Sequence, residues 1–142
     1  MSLRLLVLSA SLIALSVGAA DAETIALKAT LSGANEVPAV TSGGEGDAVV
    51  MVDTETRTMR WEVRVDGLSA PLSAAHFHGP STTAQNGGIV VPIAKKGDAS
   101  PFVGSATLDA EQLADLLDGR WYVNVHTPNH PPGEVRGQVV RE

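Results

Sequence analysis

The four histidines of this chain fall in two short segments, Ala75-His76-Phe77-His78-Gly79 and Val125-His126-Thr127-Pro128-Asn129-His130. Both segments read as the ends of β-strands. Strand residues two apart share a face, so His76 and His78 present two imidazoles side by side. A second strand ending in His126 supplies a third if the two strands are neighbours. Alternation gives both segments the same orientation. With Ala75 and Phe77 in the core, His76 and His78 face away from it. With Trp121, Val123 and Val125 in the core, Tyr122, Asn124 and His126 face away. Three imidazoles on a β-scaffold suit one Zn²⁺ or Cu²⁺ ion, and neutral histidine is the ligand form near pH 7.

A fourth coordination position falls to water, Glu134 or His130. A ligand histidine also needs an acceptor for its second ring nitrogen, and Glu36, Glu134 and Asn124 are the candidates. Pro128, Pro131 and Pro132 stiffen the loop between His126 and Glu134, which lowers the entropy lost on fixing a ligand. The plainer alternative is that His76, His78 and His126 hydrogen-bond loop carbonyls and one another. For His130 an exposed loop position is the expectation. Glu134 and Arg136 lie two apart on one face. They read either as an acid and an anion-binding arginine beside the site or, preferred, as an ion pair that pins the last strand. Asn35-Glu36 is a turn in which Asn bonds the backbone, or it brings Glu36 to the histidines; both remain open.

Other chemistries find little support. There are no cysteines, so thiol nucleophiles and thiolate metal sites are absent. No nucleophile elbow occurs, and no cleft-forming pair of carboxylates is evident. Asn86-Gly87-Gly88 is a turn signal and not a phosphate loop, because no helix follows it. The reading is a binding module rather than an enzyme. The formal net charge is −6 with no basic run, which argues against nucleic acid or an anionic membrane as partner and mildly favours cations. A protein or glycan partner is the alternative to metal.

The elements that must position these residues follow a period of two. Thr24 to Leu31 alternates as a half-buried strand, and residues 32–46, rich in Gly, Pro and Ser, read as a long loop. Residues 47–52 and 57–65 form a hairpin across Asp53-Thr54-Glu55-Thr56. Further strands are expected over 73–78, 89–94, 102–108, 121–126 and 134–140. One segment breaks the pattern. Leu113, Leu116 and Leu117 are spaced for a helix over 109–118, with Asp109 to start it and Gly119 to stop it. Trp61 and Trp121 belong to the core. The fold class is all-β, a Greek-key β-sandwich or flattened barrel with one short helix.

Residues 1–22 read as a secretory signal peptide. Arg4 precedes an apolar run from Leu5 to Val17, and Ala20-Asp21-Ala22 fits the cleavage rule. The run is shorter than the ~20 residues of a spanning helix. Residues 23–142 are then a single periplasmic or extracellular domain, with no membrane insertion after cleavage. Without disulfides it must rely on its core, on metal or on a partner.

Several motifs resemble one family in order. Leu31-Ser32-Gly33-Ala34-Asn35-Glu36-Val37-Pro38 is similar to the opening of the CHRD domain, named from chordin. Ala75-His76-Phe77-His78-Gly79-Pro80 resembles its central element, with Asn86-Gly87 and the next apolar strand following. Trp121 to Thr127, then Pro132-Gly133-Glu134-Val135-Arg136-Gly137-Gln138, is similar to its closing signature. The resemblance implies an extracellular or periplasmic β-sandwich and says little about activity. His130 lies outside the best-matching parts. A looser resemblance links the His-x-His strand to Cu/Zn superoxide dismutase. That enzyme uses more histidines and a disulfide, so only a single-copper, dismutase-like site is compatible with this chain.

Overall fold

The computed structural model describes residues 23–142, and the expected leader lies outside the described residues. Among the described residues, nine strands and one α-helix appear in this order: β1 (Thr24–Ser32), a 3-10 turn (Gly33–Asn35), β2 (Glu45–Asp53), β3 (Thr58–Asp66), β4 (Ala74–His78), β5 (Ile89–Lys95), β6 (Phe102–Thr107), α1 (Ala110–Leu117), β7 (Tyr122–Thr127), β8 (His130–Gln138) and β9 (Val140–Arg141). All pairings are antiparallel. One sheet runs β5-β4-β7-β8-β1-β2-β3-β6, with β9 paired to β1. Its two ends, β5 and β6, come into contact. The all-β expectation is met in its flattened-barrel form.

Alternation explains the interior. Leu27, Ala29 and Leu31 of β1, Ala48, Val50 and Val52 of β2, and Met59, Trp61 and Val63 of β3 all point inward and are buried. They meet Ala75 and Phe77 of β4 and Val123, Val125 and Val135 of β7 and β8. Phe77 sits edge-on to Trp61 at 5.3 Å and tilted against Trp121 at 6.1 Å, so an aromatic cluster backs the strand that carries His76 and His78. The helix begins as its sequence requires. The Asp109 carboxylate accepts from the Gln112 N–H while the Gln112 side chain accepts from the Asp109 N–H, a closed capping box. It ends in a Schellman turn at Gly119, with φ +72°. There the Gly119 and Arg120 amides donate to the Leu116 and Asp115 carbonyls.

Two expectations are corrected. The last strand is two strands. β8 starts at His130 and pairs with β7, and after Val139 the chain switches to β9 beside Leu27 and Lys28. The face turned away from the core is also not a solvent face. Tyr122 and Asn124 are 2% exposed, Glu134 0% and Arg136 1%. The loops at 33–44, 67–73 and 79–88 close over it, so the polar residues of β7 and β8 form a second buried layer.

Candidate metal centre

The ladder between β4 and β7 pairs Ala74 with His126, His76 with Asn124 and His78 with Tyr122. The strands expected to be neighbours are neighbours. His76 and His126 are therefore diagonal on the outer face, a separation that long side chains cross. One ring nitrogen from each of His76, His78 and His126 lies within 4.8 Å of the others. Nδ1 of His76 and Nε2 of His126 are 3.3 Å apart. Two nitrogens at neighbouring corners of a tetrahedral ion with bonds near 2.0–2.1 Å stand about 3.3 Å from one another.

Ring orientation is set by two backbone carbonyls. His78 Nδ1 lies 3.0 Å from the Gly87 oxygen, and His126 Nδ1 lies 2.9 Å from the Pro131 oxygen. A carbonyl only accepts, so both Nδ1 atoms carry the proton and both Nε2 atoms carry a lone pair. Nε2 of His78 is buried and has no hydrogen-bond partner. That is the state of a ligand histidine whose second nitrogen is held. Burial lowers the pKa of all three rings. The charges of neighbouring groups add to this, His126 and His78 acting on His76, and His126 and Arg136 on His78. The cluster thus stays neutral near pH 7, the ligand form of histidine.

The acceptors expected for the second ring nitrogens are placed elsewhere. Glu134 does not join the cluster. Its carboxylate accepts from the Ser42 hydroxyl at 2.6 Å, the Ser69 amide at 2.7 Å, the Ser69 hydroxyl at 2.8 Å and the Thr127 hydroxyl at 2.6 Å. Burial would raise its pKa, but these four donors outweigh burial and hold it at about 2. Glu36 accepts from the Asn124 amide at 2.6 Å. Burial pushes its carboxyl up to about 7 against the opposing pull of Arg136 and Asn124. Asn35 is the turn device, donating to the Thr30 carbonyl at 3.2 Å. His130 closes a tight turn with its amide on the Thr127 hydroxyl and is outside the histidine group.

The expected Glu134–Arg136 ion pair does not form. Each side chain is bound by a different loop before it can reach the other. Arg136 donates to the Asn86 side chain at 3.0 Å and to the Thr82 and Gln85 carbonyls at 2.8 Å each. Its guanidinium carbon lies 3.5 Å from the centre of the Tyr122 ring. At 1% exposure it cannot act as a surface guide for an anion.

Sequence reasoning left Tyr122 without a role, although its ring stacks on His78 at 5.0 Å with planes 10° apart. Its hydroxyl accepts from the Gly87 amide at 3.0 Å. Ser42 and Ser69 were likewise missed. They sit 92 and 65 residues from Glu134, and single serines in loops give no signal of such a partner. One signal was available. Gly133 has φ +143°, and a Cβ there would run into the Asn124 amide and the Glu36 carboxylate.

The CHRD domain family matches residues 27–139, from β1 through the segment between β8 and β9. Chordin of Danio rerio is 29% identical in an alignment 136 residues long that covers 84% of this chain and 13% of that protein. The chain thus spans about an eighth of the relative it matches. No solved structure matches it. The family match takes in both histidine strands and the loops that fix their rings, and on that ground the chain belongs to the CHRD domain family.

Proposed function

We propose that this protein is a metal-binding module that holds one copper or zinc ion at His76, His78 and His126. The observation that carries this reading is the ring arrangement. One ring nitrogen from each of the three imidazoles lies within 4.8 Å of the others, and the second nitrogens of His78 and His126 are tied to backbone carbonyls. An ion bound there has three protein ligands, so water or an added ligand completes the shell. Its setting is the periplasm or the extracellular space, a reading supported by the leader pattern in the sequence. Storage, delivery or sensing of the ion is the role that follows.

Elemental analysis of the untagged mature protein tests this, with His76→Ala/His78→Ala measured alongside. The expected result is about one equivalent of copper or zinc, absent from the double variant. Protein that takes up neither ion and gains no thermal stability from either overturns the reading. In that case a second reading takes its place, an interaction domain for a protein or glycan partner. The specific observation in its favour is that the same histidines already tie the loops at Gly87 and Pro131 to β4 and β7.

A further inference from the structure

His78 differs from the other two histidines in what lies behind it. Strand β7 sits between β4 and β8, and Tyr122 of β7 is stacked on His78 from β4 with planes 10° apart. From the β8 side the Arg136 guanidinium rests over the same ring, 3.5 Å from its centre. The result is a column of cation, phenol and imidazole. A cation on an aromatic face polarises the ring, and the effect grows where water is excluded.

The cation in this column is not neutralised nearby. Arg136 forms no ion pair among the described residues. Its hydrogen-bond partners, the Asn86 side chain and the Thr82 and Gln85 carbonyls, are all uncharged. The Glu36 carboxyl acts on it only from a distance, since its bonded partner is the Asn124 amide and not the guanidinium. Glu134 accepts its four hydrogen bonds from other residues and none from Arg136. The ligand cluster contains imidazoles and no carboxylate. A site of neutral ligands beside a buried positive charge disfavours a doubly charged ion more than a singly charged one, because the repulsion scales with the charge of the ion. A set of three ligands also suits monovalent copper, which accepts a low coordination number.

We infer that the Arg136–Tyr122–His78 column biases the histidine site toward monovalent copper over Cu²⁺ and Zn²⁺. The inference rests on the reading of His76, His78 and His126 as ligands. The step it favours is a one-electron reduction. Cu²⁺ on the three imidazoles takes one electron from an external one-electron donor such as ascorbate and becomes Cu⁺. No bond to the protein forms or breaks, and no proton moves. Arg136 and Tyr122 act through His78 and are positioning residues.

The test is a mediated redox titration of the copper-loaded protein, following the Cu²⁺ signal by electron paramagnetic resonance. Copper content is measured on each sample first. The wild-type midpoint is expected to lie above that of copper in solution. Arg136→Gln is expected to lower the ratio of Cu⁺ to Cu²⁺ affinity about tenfold, equivalent to about 59 mV for one electron. Arg136→Lys keeps the charge, loses the planar fork and is expected to stay close to wild type. A purely structural role for Arg136 would move both variants alike, and that result overturns the inference. If Arg136→Gln fails to fold, the wild-type midpoint decides, and a value at or below that of copper in solution overturns it. Copper bound at one equivalent with an unshifted midpoint sinks the column's role and leaves the metal site standing. Failure to hold copper in either oxidation state sinks the inference, and failure to hold zinc as well sinks the metal site.

Discussion

Glu36 and Glu134 are both buried on the outer face of the sheet, one against Asn124 and the other against Thr127. Their protons are nevertheless held in opposite ways. Glu134 has four donors on its two oxygens and a pKa of about 2, whereas Glu36 has one amide donor and a pKa of about 7. Exposure alone does not separate them, since both are closed off from solvent. The number of donors does. A carboxylate leaves water without protonating only where the fold replaces its hydration atom for atom. The loops carrying Ser42 and Ser69 do this for Glu134. Nothing comparable serves Glu36, and the charge nearest to it, Arg136, is spent mainly on loop carbonyls.

The comparison breaks most severely at Glu134. Glu134→Ala leaves four donors facing a void, and a loss of about 4 kcal/mol is expected in urea unfolding at pH 7. Glu36→Gln should act in the opposite direction. A raised carboxyl stabilises the fold fully below the unfolded value near 4.5, and the benefit is gone once pH has risen through about 7. The amide variant is therefore expected to be more stable than wild type by roughly 3 kcal/mol at pH 8 and nearly equal to it at pH 4. Equal stabilities at both pH values would show that Glu36 ionises freely. Glu134 supplies the mirror case. Its lowered pKa gives stability above about 4.5 that is lost as pH falls toward about 2. Thr127→Val removes one donor, should cost about 1 kcal/mol, and should move this acid transition to higher pH.

The strands were legible because apolar residues alternate in β1, β3, β4 and β7, and the helix because Asp109, Gln112 and Gly119 stand where a helix begins and ends. The convergence of His76, His78 and His126 was legible from the same alternation, given that β4 and β7 pair. The second buried layer was not. Alternation tells which face is apolar, and it carries no information on whether loops will cover the other face. The partners of Arg136 lie 50 to 54 residues away, mostly as backbone carbonyls, and a carbonyl has no sequence signature. The ion pair inferred from Glu134 and Arg136 failed for the same reason. Two charges at i and i+2 look paired when the only known neighbours are local.

Strand β5 bears on how fast an ion could leave. It terminates the ladder and pairs only with β4, across two register shifts that bracket His76 and Phe77. Amides on such an edge exchange with solvent through small local openings, while β1 and β2, paired along nine residues, open only with the whole domain. The strand carrying two of the three imidazoles is therefore rigid toward β7 and yielding toward β5. Its residence time for a bound ion would be set by the fraying of that edge, at a rate far faster than global unfolding.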